Sequence, residues 1–361
     1  MNKRSKTKLA VVNFFPLPRI KEANYKITRY YQSFDFLYLL TSDFDVQIFD
    51  RIGKTVSFNH EHIRFNYFRS FFASKLVIPF KQIRAIREWN PDIIYIDGLG
   101  YPHFILLLKQ VLKPATRIVV RDHADKLPRN FLKPLFRVAD TYVESYLFTA
   151  KAMGKAWIDA KLISSEDKII ECIEGSTKFG YSEDIEKIPH RFLWVGRLDK
   201  NKDPLTIVTA FSVYVKIEKT ASLKMIFDTD NLLDTVKAII KKEQLINHVE
   251  LIGKVPHSSI ENYFKESTFF MLGSYKEGGP FSLIEAMACG CIPIVTNIPA
   301  FKAMLDNGRV GFMFTPGNVE ELKHILSNLR NQNLERCRHD VLARFDTQLS
   351  NKAIANTLLK L

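Results

Sequence analysis

Two short segments in the second half of this 361-residue chain carry residue types suited to holding a phosphorylated ligand. The first reads VGRLDKNKDP over 195–204, with Arg197 and Lys202 after an apolar run and Pro204 where a helix is expected to begin. Two cations between a strand end and a helix N-terminus make an anion site. Arginine grips a phosphate through two N–H groups, and lysine adds a point charge. A solvated basic loop has the same composition, so this loop alone leaves both readings open. The second segment reads SYKEGGPFSLIEAMACG over 274–290. Gly278 and Gly279 admit close approach to the backbone, and Pro280 is placed to open a helix. Glu285 then falls on the second turn of that helix, eight residues after Glu277. A glycine turn opening a helix presents N–H groups to an anion. An ionised carboxylate only accepts hydrogen bonds, so Glu285 is suited to take both hydroxyls of a ribose. The other reading makes Glu277 a helix cap and Glu285 structural. A third segment, RDHAD over 121–125, sets His123 after an apolar run in the first half. A strand end is where open α/β sheets bind ligands, although a single histidine is also a common structural residue. His60, His62 and His103 have no comparable setting.

The elements that must position these residues share one rhythm: apolar strand, loop, amphipathic helix. Strands are expected at 9–15, 93–97, 117–122 and 141–145, then at 191–196, 222–227, 248–253, 268–273, 291–296 and 311–314. Their unbroken apolar character predicts strands covered on both faces of parallel sheets. Helical patterns occupy 203–218, 231–243, 257–266, 281–289, 299–306 and 318–329. The alternation predicts doubly wound α/β units, and the chain length suits two of them. A polar stretch with Gly180 and Pro189 breaks the rhythm between 176 and 190. The expected domains are therefore 1–180 and 190–345, with 346–361 a C-terminal helix that packs back on the first. Internal repeats and low-complexity tracts are absent from the sequence.

Hydrophobic residues make up 46% and charged residues 25%, values that exclude disordered, collagen-like and small disulfide-rich classes. Nowhere do about 18 apolar residues run together, so no transmembrane helix is expected. Cys172, Cys289, Cys291 and Cys337 lack metal-type spacing and fit free thiols in a cytoplasmic protein. The start, MNKRSKTKLAVVNFFPLP, is read as a first strand behind a basic leader, because Asn13 and Pro16 interrupt its apolar part. Residues 1–180 hold 29 Lys and Arg against 18 Asp and Glu, whereas 181–361 hold 23 against 21. The excess in the first half predicts an anionic partner for that half. From Ile63 to Arg87, the cations Arg64, Arg69, Lys75, Lys81, Arg84 and Arg87 interleave with Phe65, Tyr67, Phe68, Phe71 and Phe72, without one acid. On a helix this would suit an anionic membrane surface; an ordinary amphipathic helix with its aromatics in the core is the alternative. Nucleic acid is not an expected partner, since no helix-turn-helix, zinc-finger or RNP-type motif is present.

The two second-half segments together resemble the retaining GT-B glycosyltransferases of family 4, the glycosyl transferases group 1. GRLDKNKDP (196–204) is similar to that family's G-R-L-x3-K-x-P loop, and EGGPFSLIEAMACG (277–290) to its E-x7-E motif. IPIVT (292–296) and GFMFTPGNVEEL (311–322) extend the likeness, which is clear over about 190–330 and diffuse before it. The resemblance implies a GT-B fold, two Rossmann-like doubly wound parallel-sheet domains facing a central cleft. It implies that Arg197 and Lys202 bind the donor diphosphate, that Glu285 holds the ribose, and that Glu277 contacts the transferred sugar. Gly279, Phe281, Ser282 and Leu283 would supply donor contacts; Pro280 has no N–H, which favours the amides of Phe281 and Ser282. His123 would stand near the transferred sugar.

The same resemblance implies a hexosyltransferase that moves sugar from a nucleotide-diphosphate donor to a glycan or lipid-linked acceptor, in cell-surface polysaccharide or lipopolysaccharide synthesis. It would need no cofactor and no metal, and it would work in the cytoplasm, peripheral on the inner face of the membrane. Retention would come from front-face attack, with the departing diphosphate stabilised electrostatically and water kept out. The chain departs from the family in two places. The stretch FFPLPRIKEANY (14–25) has no glycine, leaving Arg19 or Lys21 as phosphate contacts, and Asp228-Thr229-Asp230 replaces a glycine-rich turn. That D-x-D and Asp43-Phe44-Asp45 are weak metal candidates, because the cations already provide charge for a diphosphate. The alternatives are a non-catalytic nucleotide-sugar-binding or partner subunit, and another GT-B chemistry such as a phosphorylase or epimerase.

Overall fold

The computed structural model describes residues 6–29, 31–72 and 77–360, so Lys75 lies outside the described residues. Two compact units divide the chain: Met1–Gly175 with Ile354–Leu361, and Ser176–Ala353. The divisions fall at 175/176 and 353/354, against the expected 180/190 and 345/346.

The first unit is built on an eight-stranded sheet. Its strands are β1 (Thr7–Leu17), β2 (Phe44–Ile52), β3 (Val56–His60), β4 (Ile63–Arg69), β5 (Ile93–Asp97), β6 (Arg117–Arg121), β7 (Ser145–Phe148) and β8 (Ile169–Glu171). Their spatial order is β3-β4-β2-β1-β5-β6-β7-β8, parallel throughout except for the antiparallel β3/β4 pair. Ala10, Val12, Ile94, Ile96, Ile118 and Val120 are central to the buried core. Strands with helical crossovers between them have both faces covered, which is why these runs read as continuously apolar.

Several expectations for this unit need correction. The strand expected at 141–145 lies at 145–148. Tyr142 and Glu144 are exposed, and the four residues SYLF are the buried ones. The run from Ile63 to Arg87 is not one helix: it supplies β4 and a separate helix, Phe80–Trp89. Phe65 and Tyr67 point into the core, whereas Phe71, Phe72 and Phe80 are exposed. The strand β2 has no clear apolar run because it carries Asp45, Gln47, Asp50 and Arg51. The last two are nonetheless buried. Asp50 accepts from Lys26 Nζ at 2.9 Å and Tyr25 Oη at 3.2 Å, and Arg51 Nη1 donates to the Phe14 carbonyl at 3.2 Å. Buried charge is tolerated when it is paired in this way.

The second unit has a six-stranded parallel sheet. Its strands are β9 (Ile188–Val195), β10 (Ser222–Ile226), β11 (Val249–Gly253), β12 (Ser267–Leu272), β13 (Ile292–Thr296) and β14 (Phe312–Phe314), in the order β11-β10-β9-β12-β13-β14. The expected helices appear at Pro204–Ile217, Leu233–Lys242, His257–Glu266, Phe281–Ala288, Pro299–Met304 and Val319–Ser327. All six residues of β12 are buried, as its apolar run requires. The C-terminal helix spans Asn351–Leu358. Among the described residues, no helix is long and apolar enough to cross a membrane.

Candidate functional site

Chemistry gathers at the carboxyl ends of the strands in each unit. In the second unit, β9 ends at Val195 and the basic loop comes next. Asp203 closes this loop as N-cap of the helix Pro204–Ile217, its Oδ1 accepting from the Thr206 amide at 3.2 Å. Capping satisfies one donor at the helix start and fixes where the loop ends. The loop is then welded to the segment after β12. Asn201 O accepts from the Tyr275 amide at 2.8 Å, its Oδ1 from the Lys276 amide at 3.1 Å, and its Nδ2 donates to Lys276 O at 3.0 Å. Gly273 permits this approach, since a Cβ there would stand 2.9 Å from the Asp203 carbonyl oxygen.

The weld brings the two motifs together. Lys202 Nζ donates to Glu277 Oε1 at 2.6 Å, and their side chains are only 13% and 11% exposed. Arg197 reaches out instead, 59% exposed, with Asp199 Oδ2 at 3.2 Å. A cleft of about 310 Å³ opens beside them, lined by Arg197, Lys202, Asp228, Lys254, His257 and Ser282 among others. Of the D-x-D residues, Asp228 faces this cleft, while Thr229 Oγ1 accepts from the Leu198 amide at 2.9 Å and Asp230 O from the Leu233 amide at 2.9 Å. That segment therefore serves as a loop tie and helix start. Among the described residues, no cluster of three His, Cys, Asp or Glu side chains could hold a metal ion.

The glycine turn has Pro280 as N-cap of the helix Phe281–Ala288. Its amides are unequally available. Phe281 N donates to Gly279 O at 2.9 Å and Leu283 N to Pro280 O at 3.0 Å, and the Leu283 side chain is fully buried. Ser282 has neither its N–H nor its hydroxyl paired among the described residues, and it lines the cleft. Of the expected amide donors, Phe281 and Leu283 are thus committed within the turn.

Glu285 is 3% exposed on the second turn and does not itself line the cleft. Its Oε1 lies 2.7 Å from His257 Nε2, and His257 does line it. His257 also stacks on Phe179, ring centroids 5.0 Å apart. The hydrogen bond to Glu285 raises the imidazole pKa against the opposing effect of burial. Sequence spacing did not point to His257. Its only signal there is its place after β11, behind Pro256, at the first residue of a helix.

In the first unit, Asp97 ends β5, His123 comes after β6 and Glu174 after β8. His123 Nε2 contacts Asp97 Oδ1, and its Nδ1 contacts Glu174 Oε1. Asn13 Nδ2 donates to Asp97 Oδ2 at 3.2 Å. Around the histidine the loop is wound tightly: Asp122 accepts from the Ala124 and Asp125 amides, and Asp125 from the Leu99 amide at 2.9 Å. Spacing did not point to Asp97 or Glu174 either, since only the sheet brings them to His123. The glycine-free stretch 14–25 is backed from the end of β2. Gly53 N donates to Ile20 O at 2.7 Å, and a Cβ at Gly53 would overlap the Pro18 carbonyl oxygen. Arg19 and Lys21 are exposed there.

Residues 181–340 match the family model for glycosyl transferases group 1. The chain is 24% identical over 303 residues to the capsular polysaccharide biosynthesis glycosyltransferase CapH of Staphylococcus aureus, covering 80% of this chain and 81% of that one. It is 26% identical over 237 residues to the N-acetylgalactosamine-N,N'-diacetylbacillosaminyl-diphospho-undecaprenol 4-alpha-N-acetylgalactosaminyltransferase of Campylobacter jejuni, covering 62% and 63%. The fold is similar to that of HepE from Anabaena, solved with UDP, at a TM-score of 0.73 and 15% identity over 98% and 99% of the two chains. The second unit is thus similar to the glycosyl transferases group 1 over residues 181–340, and the chain has the GT-B fold.

Proposed function

We propose that this chain is a retaining, metal-independent hexosyltransferase that uses a nucleotide-diphosphate sugar and acts on a glycan or lipid-linked acceptor in cell-surface polysaccharide synthesis. The observation that carries the proposal is one cleft lined by Arg197, Lys202 and Ser282, with the Glu285 carboxylate held one residue behind its wall by His257. Arg197 and Lys202 would neutralise the diphosphate, and the unpaired Ser282 amide and hydroxyl would add hydrogen bonds. Gly279, Phe281 and Leu283 would shape the turn around the donor. Glu285 would accept the ribose hydroxyls. Glu277, tied to Lys202, would meet the transferred sugar.

In this reading the bond from the sugar's anomeric carbon to the diphosphate breaks as the acceptor oxygen bonds to the same face. The acceptor proton passes to a departing phosphate oxygen, so no protein base is required. Positive charge already in place at the leaving group is the main source of rate, because it needs no reorganisation during the reaction. No resident cofactor is needed, the donor being a substrate. The relative from Campylobacter, named for a diphospho-undecaprenol-linked sugar, supports an acceptor carried on lipid. The site of action would be the cytoplasmic face of a membrane, with exposed Phe71, Phe72 and Phe80 beside Arg69, Lys81 and Arg84 meeting anionic headgroups.

Thermal unfolding with UDP-glucose, UDP-galactose and GDP-mannose tests donor binding. A ligand at about 100 times its Kd adds roughly 2.7 kcal/mol of stability. Release of nucleoside diphosphate, and the anomeric configuration of the product by NMR, then test transfer and retention. No stabilisation by any of the three donors would count against the cleft assignment, and an inverted product would overturn the front-face route.

A further inference from the structure

We propose that His257 is a further donor-binding residue of the second unit's cleft: Glu285 holds the ring from behind the wall, and the imidazolium so fixed joins Arg197, Lys202 and Lys254 in meeting the anionic diphosphate of the donor. The inference rests on the reading of this cleft as the donor site and deepens it. The Glu285 side chain is 4% exposed and does not line the cleft, whereas the His257 side chain is 42% exposed and does. What the cleft offers at this point is therefore the imidazole, with the carboxylate behind it. An ionised carboxylate only accepts hydrogen bonds, so Nε2, 2.7 Å from Glu285 Oε1, carries a proton. Phe179 stacks on the ring at an interplanar angle of 23°, which fixes the ring's face as Glu285 fixes its edge. A side chain ordered before the ligand arrives loses little rotamer freedom on binding. A carboxylate can accept about four hydrogen bonds, so the bond to His257 does not by itself exclude a ribose from Glu285.

The place of His257 in the fold argues against a purely structural role. It is the first residue of the helix His257–Glu266, which has no acidic residue in its first turn. A cation at a helix N-terminus opposes the helix dipole, so charge there serves the helix poorly. The same dipole adds to the positive potential that an anion meets. The charged groups around the ring come from four places. From the helix Phe281–Ala288 comes Glu285. On its own helix, Glu261 stands one turn on, but it is tied to Lys265 at 2.9 Å and accepts from the Gly180 amide at 3.3 Å. Lys178 is exposed beside Phe179. The cleft itself brings Arg197, Lys202 and Lys254 against Asp228, and Lys202 is paired to Glu277. The Glu285 bond outweighs burial and raises the imidazole pKa, so the ring keeps its proton to higher pH than the ordinary value of 6.5. An anion in the cleft favours that proton further. By linkage, the protonated ring favours the anion to the same extent.

The test is calorimetric, on the full chain, with UDP-glucose, UDP-galactose and GDP-mannose. The diphosphate of a nucleotide sugar keeps its charge from pH 5.5 to 8.5, so a change in affinity over this range belongs to the protein. For a donor that binds the wild type, Kd should rise about tenfold from pH 5.5 to 8.5. Binding near neutrality should take up protons, read from buffers of different ionisation enthalpy. His257→Asn should bind about tenfold more weakly than the wild type at pH 5.5 and approach it at pH 8.5, without that uptake. Glu285→Gln should move the rise in Kd to lower pH, since the ring loses the partner that raises its pKa. NMR of the His257 Cε1–H in the wild type needs no variant: saturating donor should raise the ring pKa by about one unit. A ring pKa unchanged by donor overturns the proposal and leaves the donor site in place. So does a deficit in His257→Asn that is equal at every pH, which would mark a structural role. Binding by none of the three donors overturns the donor reading and this proposal together.

Discussion

At the residue scale, the two cations of the basic loop are not equivalent. Arg197 is exposed and, among the described residues, paired only with Asp199 on its own loop, so its loss strands no buried partner there. Lys202 is nearly buried against Glu277, and its loss strands a carboxylate. Arg197→Ala and Lys202→Ala should each lower donor turnover by about 10²–10³-fold, the range for losing one strong electrostatic contact. Only Lys202→Ala should also lower the melting temperature. Calorimetry beside initial rates separates the two effects, and normal turnover in both variants would remove the diphosphate role. The pair formed by His257 and Glu285 gives a pH prediction. Its imidazole pKa is raised in the folded chain by the Glu285 hydrogen bond. Stability from that pair is therefore fully present below the ordinary imidazole value of 6.5 and is lost as pH rises through the raised one. Urea unfolding at pH 6 and pH 9 should show a loss in the wild type that His257→Asn lacks. Equal pH dependence in the two proteins would show that the pair does not couple to folding.

At the element scale, Lys187 ties together parts that are far apart in sequence. Its buried Nζ donates to Phe264 O at 2.8 Å and to Cys289 O at 2.7 Å, the C-terminal ends of two helices, with Cys291 Sγ at 3.6 Å. Burial lowers the pKa of this amine. Helix C-termini carry partial negative charge and unpaired carbonyls, which a cation meets well. Lys187→Met would leave the Cys289 carbonyl without its buried donor, at roughly 1–3 kcal/mol, while Phe264 O keeps the Ser267 amide and the Cys291 thiol. The urea midpoint should fall accordingly, and an unchanged midpoint would show that water replaces the amine. This contact lay outside what the sequence could reveal, because Lys187 reads as one more charge in a polar linker. The same reason explains which elements were legible. The strands of the second unit announced themselves because residues such as those of β12 are apolar without interruption. Its two motifs are local, so Arg197 and Lys202 could be named from spacing and Ser282 from the family resemblance, and all three line one cleft. β2 stayed hidden because Asp50 and Arg51, buried and paired, look like surface residues in isolation. His257, Asp97 and Glu174 belong to the sites through sheet topology, which no short window displays.

At the scale of the whole molecule, charge and exposed apolar surface coincide in the half that carries the net positive charge. Phe71, Phe72 and Phe80 are 68%, 69% and 72% exposed, and the Arg69 guanidinium lies 4.4 Å from the Phe71 ring centroid. Lys81 and Arg84 sit on the helix that begins at Phe80, and both are exposed. Rings near the headgroup boundary and cations on phosphates are the two components of reversible membrane binding. Each cation near an anionic surface contributes about 1 kcal/mol, so Arg69, Lys81 and Arg84 together should change vesicle affinity by about two orders of magnitude. The protein should sediment with vesicles containing phosphatidylglycerol and remain free of purely phosphatidylcholine ones. Salt should weaken the binding, because the attraction is screened within about 10 Å at 0.1 M ionic strength. Replacing Phe71, Phe72 and Phe80 by serine should lower affinity at every salt concentration, whereas replacing the three cations by glutamine should cut affinity for anionic vesicles about a hundredfold at low salt and weaken both the salt dependence and the lipid selectivity. Neither set touches the cleft residues, so diphosphate release from a soluble donor should be unchanged in both. Equal binding to anionic and neutral vesicles by the wild type would reject the membrane assignment and leave the charge asymmetry to a soluble anionic partner.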